Sequence, residues 1–312
     1  MSGSPQNELV AQLTAEFSSR KPIRAGSLIT TVFGDAVAPR GGTLWLGSLL
    51  PLLHALGIND SQARTAMSRL TDDEWFCAAR VGRKSYYTLT NSGRTRFDAA
   101  TRRIYSGPPH AWSGVFCLVI APGGASVWRD QLRKELSWIG FGTLSPGVFI
   151  HPDPDEPGLQ AVLARVAPPE QRPVLIRGVG EPATSASSLA QMVDDCWDLK
   201  ELATAYQGFV TKFGALGGAL ADGAELTDWD CLLARMMLIH EYRRIILRDP
   251  LLPTELLPPD WAGTQARRLT RDIYERIVEP SEQWVSTHFE REDGALPSPN
   301  RKFWQRFGGL AR

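Results

Sequence analysis

No apolar run in this chain approaches the ~20 residues that a helix needs to cross a bilayer. The opening stretch, MSGSPQNELVAQL, has no basic segment followed by an apolar core, so a secretory signal is not expected. Cysteine is scarce. Cys77, Cys117, Cys196 and Cys231 lie far apart and form no CxxC pair, which argues against a disulfide scaffold and against a zinc site. Net charge is missing too, with 34 Lys and Arg against 34 Asp and Glu. These absences point to a protein of the reducing cytoplasm without a membrane partner.

Catalytic signatures are equally thin. His240-Glu241 begins like a zinc-protease HExxH, but Arg244 stands where the second histidine is required, and a cation cannot ligate a metal. The stretch from Gly178 to Ala183 has the glycine spacing of a dinucleotide fingerprint, yet Pro182 falls where the helix should open. Gly214, Gly217 and Gly218 lack the lysine of a phosphate-binding loop, no Gly-x-Ser-x-Gly elbow occurs, and histidines 54, 110, 151, 240 and 288 are dispersed. No catalytic centre, metal site or cofactor is expected.

What is present is ordinary globular composition, 43% hydrophobic and 22% charged, over 312 residues, enough for two or three domains. The neutral sum conceals a local asymmetry. Between Trp75 and Ser106 seven basic residues (Arg80, Arg83, Lys84, Arg94, Arg96, Arg102 and Arg103) face Asp98 alone, a balance of +6. Phosphate is met by the local patch and not by the total charge.

The surrounding pattern gives that patch a setting. Helices are expected over Ile23 to Phe33 and Leu44 to Leu56, separated by the breaker Ala38 to Gly42. Gly57 ends the second, and Asn59 or Asp60 caps a third. In that third helix Ala63, Ala66, Met67 and Leu70 recur at i, i+3, i+4 and i+7, one apolar stripe, while Thr65, Ser68 and Arg69 project away with Arg64 on the flank. These are side chains that reach base edges or phosphates. A hairpin follows: Phe76 to Val81, a turn at Gly82-Arg83-Lys84, and Ser85 to Leu89, with Tyr86-Tyr87 favouring a strand. Thr90 or Asn91 then caps a helix to about Tyr105. Helix, helix, polar-faced helix, basic hairpin and helix is the order of a winged helix-turn-helix.

Gly107-Pro108-Pro109 reads as a linker. After it come a strand (Trp112 to Ala121), a helix (Val127 to Ile139), a strand (Gly147 to His151), a helix (Leu159 to Val166) and a strand (Pro173 to Arg177), an order that suits a small ferredoxin-like unit. From about Ser185 the chain turns helical. One long segment is expected over Leu189 to Phe213 with a possible kink at Gly208, then Leu226 to Arg248, Ala262 to Val278, and a short helix near Trp284 beyond Pro280. Phe303, Trp304 and Phe307 should tie the tail to the body. The fold class is therefore α+β, with domains expected at 1–108, 109–185 and 186–312.

Three stretches together resemble the phenylacetate-degradation repressor family, PaaX. The first is Ser27-Leu-Ile29 with Gly34-Asp35, Arg40-Gly-Gly42 and Trp45-Leu-Gly-Ser-Leu49. The second is Arg64-Thr-Ala66, Arg69-Leu70 and Gly82-Arg-Lys-Ser-Tyr86. The third is Tyr242-Arg-Arg244, Asp249-Pro-Leu-Leu-Pro253, Glu255-Leu-Leu-Pro258, Trp261-Ala-Gly263 and Arg306-Phe-Gly-Gly309. They run in order across nearly the whole chain.

The resemblance implies a homodimeric repressor of an aromatic-acid catabolic operon, with a winged helix-turn-helix, a Cas2-like middle domain and a helical C-terminal domain. It would bind double-stranded operator DNA and be released by an aryl-acetyl-coenzyme A thioester, typically phenylacetyl-CoA. The expected DNA contacts are Arg64, Thr65, Ser68, Arg69, Arg80, Arg83, Lys84 and Tyr86. An acyl-CoA needs cations for its phosphates and an apolar slot, for which Arg243, Arg244, Trp261, Arg267 and Arg268 are candidates. The rival readings are a metal-dependent nuclease or a CoA-thioester enzyme using the middle or C-terminal domain. The middle segment's acids, however, lie mostly in the proline-broken loop Asp153-Pro-Asp155-Glu156, and the strand from Trp112 lacks an early metal-binding aspartate.

Overall fold

A computed structural model of the protein describes residues 5–20, 24–106, 111–123, 126–168, 170–179 and 186–310. The linker at Gly107-Pro108-Pro109, the start of the first expected helix at Ile23, and the end of the glycine stretch at 180–183 lie outside them. The architecture is α+β. The first segment comprises α1 (Pro5–Ser19), α2 (Ala25–Val32), β1 (Thr43–Trp45), α3 (Leu46–Ala55), α4 (Asp60–Asp72), β2 (Phe76–Val81), β3 (Lys84–Leu89) and α5 (Asn91–Ile104). The middle one comprises β4 (Val115–Ile120), α6 (Val127–Trp138), β5 (Gly142–Ser145), β6 (Val148–His151), α7 (Glu156–Val166) and β7 (Val174–Val179). The last comprises α8 (Ala186–Cys196), α9 (Leu199–Ala221), α10 (Asp228–Ile246), α11 (Ala262–His288), β8 (Glu290–Arg291), β9 (Gly294–Ala295) and α12 (Arg301–Trp304).

Local chemistry accounts for the boundaries. Asn59 is the cap of α4: its side chain accepts from Gln62 N at 2.9 Å, while Gln62 Oε1 accepts the Asn59 amide at 3.0 Å, so two orphan donors are satisfied reciprocally. Thr90 caps α5 through Gly93 N. Four expectations differ from the fold. α2 does not stop at Phe33 but runs on through a π-helical turn, Phe33–Val37, and a 3-10 turn, Ala38–Arg40. Residues 43–45 form a strand, not the start of a helix, because Thr43, Leu44 and Trp45 pair with Thr88, Tyr87 and Tyr86. The segment expected as one helix over Leu189 to Phe213 is two, α8 and α9. Trp197 turns inward there, donating its indole N–H to Gly140 O at 2.9 Å. Pro280, expected to end a helix, sits inside α11, where Ile277, Val278, Ser281 and Val285 are buried on either side of it. Burial there outweighs the one backbone bond that proline forfeits.

Packing divides the chain into two units. One gathers residues 1–108, 208–244 and 265–312; the other gathers 109–207 and 245–264. The second unit carries a four-stranded antiparallel sheet in the order β5-β6-β4-β7, covered by α6 and α7, which is the ferredoxin-like order. Its core is Val119, Leu132, Leu136, Phe149, Leu159 and Val162. The strand β5, absent from the sequence reading, is its short edge.

The first unit has a three-stranded antiparallel sheet, β1-β3-β2, under α2, α3, α4 and α5. Leu28, Ile29, Val32, Leu49, Leu52, Met67 and Phe76 are fully or almost fully buried there, with Phe33 and Phe76 rings 4.4 Å apart. The same unit holds a buried ionic network. Asp35 Oδ2 forms an ion pair with Arg235 Nε at 2.6 Å, and its Oδ1 accepts from Arg306 Nη1 at 2.9 Å and from the hydroxyls of Tyr105 and Tyr274. Glu282 takes Arg235 Nη1 at 2.6 Å and also Arg40. Burial alone would push the Asp35 carboxyl toward its neutral form. The two guanidinium groups and two phenols outweigh it and hold the pKa below the usual carboxylate range. Phe303 and Phe307 are buried beside this network, so the tail is tied down as expected.

Candidate nucleic-acid interface

The amphipathic division of α4 is complete. Ala63, Ala66, Met67 and Leu70 are buried, whereas Arg64, Thr65, Ser68 and Arg69 are all exposed on the opposite face. α2 packs on the buried face, close enough that a Cβ at Gly26 would touch Leu70. At its C-terminal end α4 is closed by Glu74 in left-handed backbone (φ 59°), with Trp75 N donating to Leu70 O at 2.9 Å. That closure turns the chain directly into β2.

The hairpin is tighter than the sequence implied. Val81 pairs with Lys84, so only Gly82 and Arg83 form the turn, and Gly82 has φ +59°, which a Cβ would resist. Arg80, Arg83 and Val81 are exposed at the tip. The other expected basic contact, Lys84, is half-exposed and engaged: its ammonium lies 2.6 Å from Glu290 Oε2 and 4.1 Å from the centre of the Trp45 ring. Tyr86 departs from expectation. Only 6% of it is exposed, because its ring faces the packed side of the sheet, and it is a core residue and not a surface contact. Elsewhere in the basic stretch, Arg94 donates to Gly41 O, and Arg96 donates to Asp73 O and stacks over Trp75. Part of the +6 therefore braces the fold.

The five effector candidates are placed separately. Arg243 is directed inward, with Nη1 donating to Ser27 O at 2.8 Å and to the hydroxyls of Thr30 and Thr31 at 2.9 and 2.8 Å. Arg267 donates to Ser106 O and Oγ. Trp261 belongs to the other unit, buried edge-on against Tyr206 with ring centres 5.9 Å apart. Arg244 and Arg268 are exposed.

Of the five, only Arg244 lines a cavity of about 90 Å³, formed by Phe17 and Arg20 of α1, Arg24, Ser27 and Leu28 at the start of α2, and His240 and Arg244 of α10. Sequence reading missed α1 altogether, although Val10, Leu13 and Phe17 repeat at helical spacing and are buried. It also treated His240 only as a failed metal ligand. The His240 imidazole packs against Phe17, with Nδ1 at 2.9 Å from Thr31 Oγ1. Burial, with Arg243, Arg244 and Arg20 nearby, lowers its pKa to about 3, so the ring is neutral.

Among the described residues no three His, Cys, Asp or Glu side chains come together as a metal site, and no helix is long and apolar enough to cross a membrane. In the acidic loop of the middle segment, Glu156 is held by Arg177.

A polar-faced helix beside a basic hairpin defines a regulator's architecture more readily than an enzyme's, and comparison with known proteins agrees. Three family models match in succession: PaaX-like protein over residues 24–93, the PaaX protein central Cas2-like domain over 109–181, and the PaaX-like protein C-terminal domain over 197–287. The chain is 37% identical over 291 residues to the transcriptional repressor PaaX of Escherichia coli strain K12, covering 93% of this chain and 92% of that one. The chain belongs to the PaaX family, a family of regulators and not of enzymes. A solved structure of an uncharacterised protein from Mycobacterium tuberculosis covers 83% of this chain and 98% of its own, at 23% identity and a TM-score of 0.49.

Proposed function

We propose that this protein is a transcriptional repressor that binds double-stranded operator DNA as a homodimer and is released by an aryl-acetyl-CoA thioester, in the first instance phenylacetyl-CoA. Residues 1–108 act as a winged helix-turn-helix, 109–185 as the ferredoxin-like middle domain, and 186–312 as a helical domain for dimer and effector contacts. The observation that carries the reading is the exposed face of α4 beside the tip of the β2–β3 hairpin. Arg64, Thr65, Ser68 and Arg69 meet the major groove, while Arg80 and Arg83 meet flanking phosphates and Lys84 joins them where Glu290 releases it. Two copies read half-sites about one helical turn, ~34 Å, apart or a multiple of it. The relative's description as a transcriptional repressor supports the same reading.

An electrophoretic shift with DNA from around the protein's own gene tests it. A specific shift, competed by the same fragment and reversed by phenylacetyl-CoA, is expected. No shift at any salt concentration would end the DNA-binding reading. A shift indifferent to every aryl-CoA thioester would end the effector assignment alone.

A further inference from the structure

The two arginines on the exposed face of α4 are not equivalent. Arg64 has a carboxylate one turn before it, with Asp60 Oδ2 at 3.9 Å from Arg64 Nη2. Among the described residues no carboxylate pairs with Arg69. Asp60 is also held from a second element, because His54 in the last turn of α3 places Nε2 at 2.5 Å from Asp60 Oδ1. The turn between them is closely bonded. Gly57 stands there at φ 82°, Gly57 N donates to His54 O at 3.0 Å, and Ile58 N donates to Leu53 O at 2.9 Å. All three side chains, His54, Asp60 and Arg64, are more than half exposed. Ion pairs so exposed add little stability, so what this chain of contacts does is place charge. The place is the first residue of α4, directly after the Asn59 cap. A helix N-terminus ordinarily attracts phosphate through free N–H groups and the positive end of the dipole. In α4 the capping box already takes the amides of Asn59 and Gln62, and the Asp60 carboxylate opposes a further anion.

We propose that Asp60 is a positioning residue for sequence reading: it holds Arg64 toward the base edges and bars a phosphate from the start of α4. The proposal rests on the operator-binding reading above. In helix-turn-helix docking the first residues of the second helix approach the bases, which puts Asp60 and Arg64 at that end. An unrestrained guanidinium there has two partners to choose from, a guanine edge and the nearest phosphate. Its fork fits both, and the phosphate carries the full charge. An acid one turn back restrains the arginine and repels a phosphate brought alongside it. A guanine edge carries no net charge and presents O6 and N7 to the fork, so it is the partner that the carboxylate leaves available. His54 keeps that carboxylate at the start of the helix and not swung out over the groove.

The test is selection of bound duplexes from a randomised library by the full-length protein, as wild type, Arg64→Ala, Asp60→Asn and Asp60→Glu. Anisotropy titration of one random-sequence duplex at several salt concentrations accompanies it. Arg64→Ala should erase a preference for guanine at one base pair in each half-site. Asp60→Asn should lower that same preference about threefold or more and leave the other positions as they were. Its affinity for the random duplex should rise, with a salt dependence steeper by about 0.9, because the released guanidinium takes a phosphate. Asp60→Glu still reaches Arg64 one turn on and should keep the wild-type preference. Melting temperatures should match wild type throughout. An unchanged preference in Asp60→Asn overturns the proposal, whatever happens on the random duplex, and leaves Asp60 a repelling charge only. A change at a different base pair overturns it too, since Asp60 would then be a base contact in its own right. A lowered preference without a gain on the random duplex overturns the exclusion of phosphate. A uniform loss over all duplexes with a lower melting temperature makes Asp60 a structural residue and ends the proposal. If wild type selects no sequence, the operator reading itself falls; if it selects one that Asp60→Asn leaves intact, that reading stands and only this proposal is lost.

Discussion

The ammonium of Lys84, first residue of the hairpin's returning strand, lies 2.6 Å from the carboxylate of Glu290, 206 residues further along the chain. Glu290 is held in place at its backbone, where its N–H donates to Ser48 Oγ at 3.0 Å, and by the buried Phe289 before it. The hydrogen bond to Glu290 raises the Lys84 pKa, so the lysine is charged but committed. A residue assigned to phosphate contact is thus shared with an acid supplied by β8, just beyond α11.

Glu290→Gln should release Lys84 for DNA. The expected outcome is tighter binding to all duplex sequences and a steeper dependence of log K on log salt, by about 0.9 for one further phosphate contact. Fluorescence anisotropy at several salt concentrations measures both. An unchanged slope with unchanged affinity would show that Lys84 stays out of the interface whether or not Glu290 holds it.

Arg69 tests the other half of the division of labour. It is exposed on α4, on the face turned away from Ala63 and Met67. Arg69→Ala should alter sequence preference, costing roughly 1–3 kcal/mol at operators with the matching base and little at non-specific DNA. Binding to a library of single-base operator variants decides the point. A uniform loss over all sequences would make Arg69 a phosphate contact.

The difference between what the sequence revealed and what it hid follows the range of the interactions. The α4 cap, its apolar stripe and the basic hairpin tip were all readable, because capping boxes, i, i+3, i+4 periodicity and turn glycines act within a few residues. Lys84 and Tyr86 enter the expected interface from the local pattern together with the family resemblance, and neither carries information on distant packing. Their actual surroundings, Glu290 and the sheet core, are set by distant packing. The break at Trp197 and the continuity of α11 through Pro280 were misread for the same reason: tertiary burial overrode local propensity. The Asp35 network lay furthest from view, since its partners Arg235 and Arg306 are 200 and 271 residues away. Only the resemblance of Gly34-Asp35 and Arg306 to family positions marked those residues at all.

That network makes a strong stability prediction. Among its charged members Arg40, Arg235 and Arg306 face only Asp35 and Glu282, and the side chain of Asp35 is fully buried. Asp35→Asn keeps the shape but leaves the guanidinium groups of Arg235 and Arg306 short of an anion. Breaking one partner of a buried pair costs about 3–5 kcal/mol, a large part of a domain's stability. Urea denaturation should show a correspondingly lower midpoint. A loss under about 1 kcal/mol would mean that Glu282 and the tyrosine hydroxyls satisfy the cations without Asp35.

Acid sensitivity follows from two groups whose signs agree. Asp35 has a folded pKa below its unfolded value, so its contribution is present above the ordinary carboxylate range and lost as pH falls through the folded value. His240 reaches the same result from the other charge type. Its pKa falls from 6.5 to about 3 in the fold, so between those values the unfolded chain binds a proton that the native one refuses. Stability from His240 is therefore complete above about pH 6.5 and declines steadily toward pH 3. The urea midpoint should begin to drop below pH 6.5, well before most carboxylates titrate. In His240→Gln, which keeps a polar group within reach of Thr31 but cannot take up the proton, the drop should start only in the carboxylate range. An identical pH profile for the two proteins would show that His240 remains protonatable in the native state.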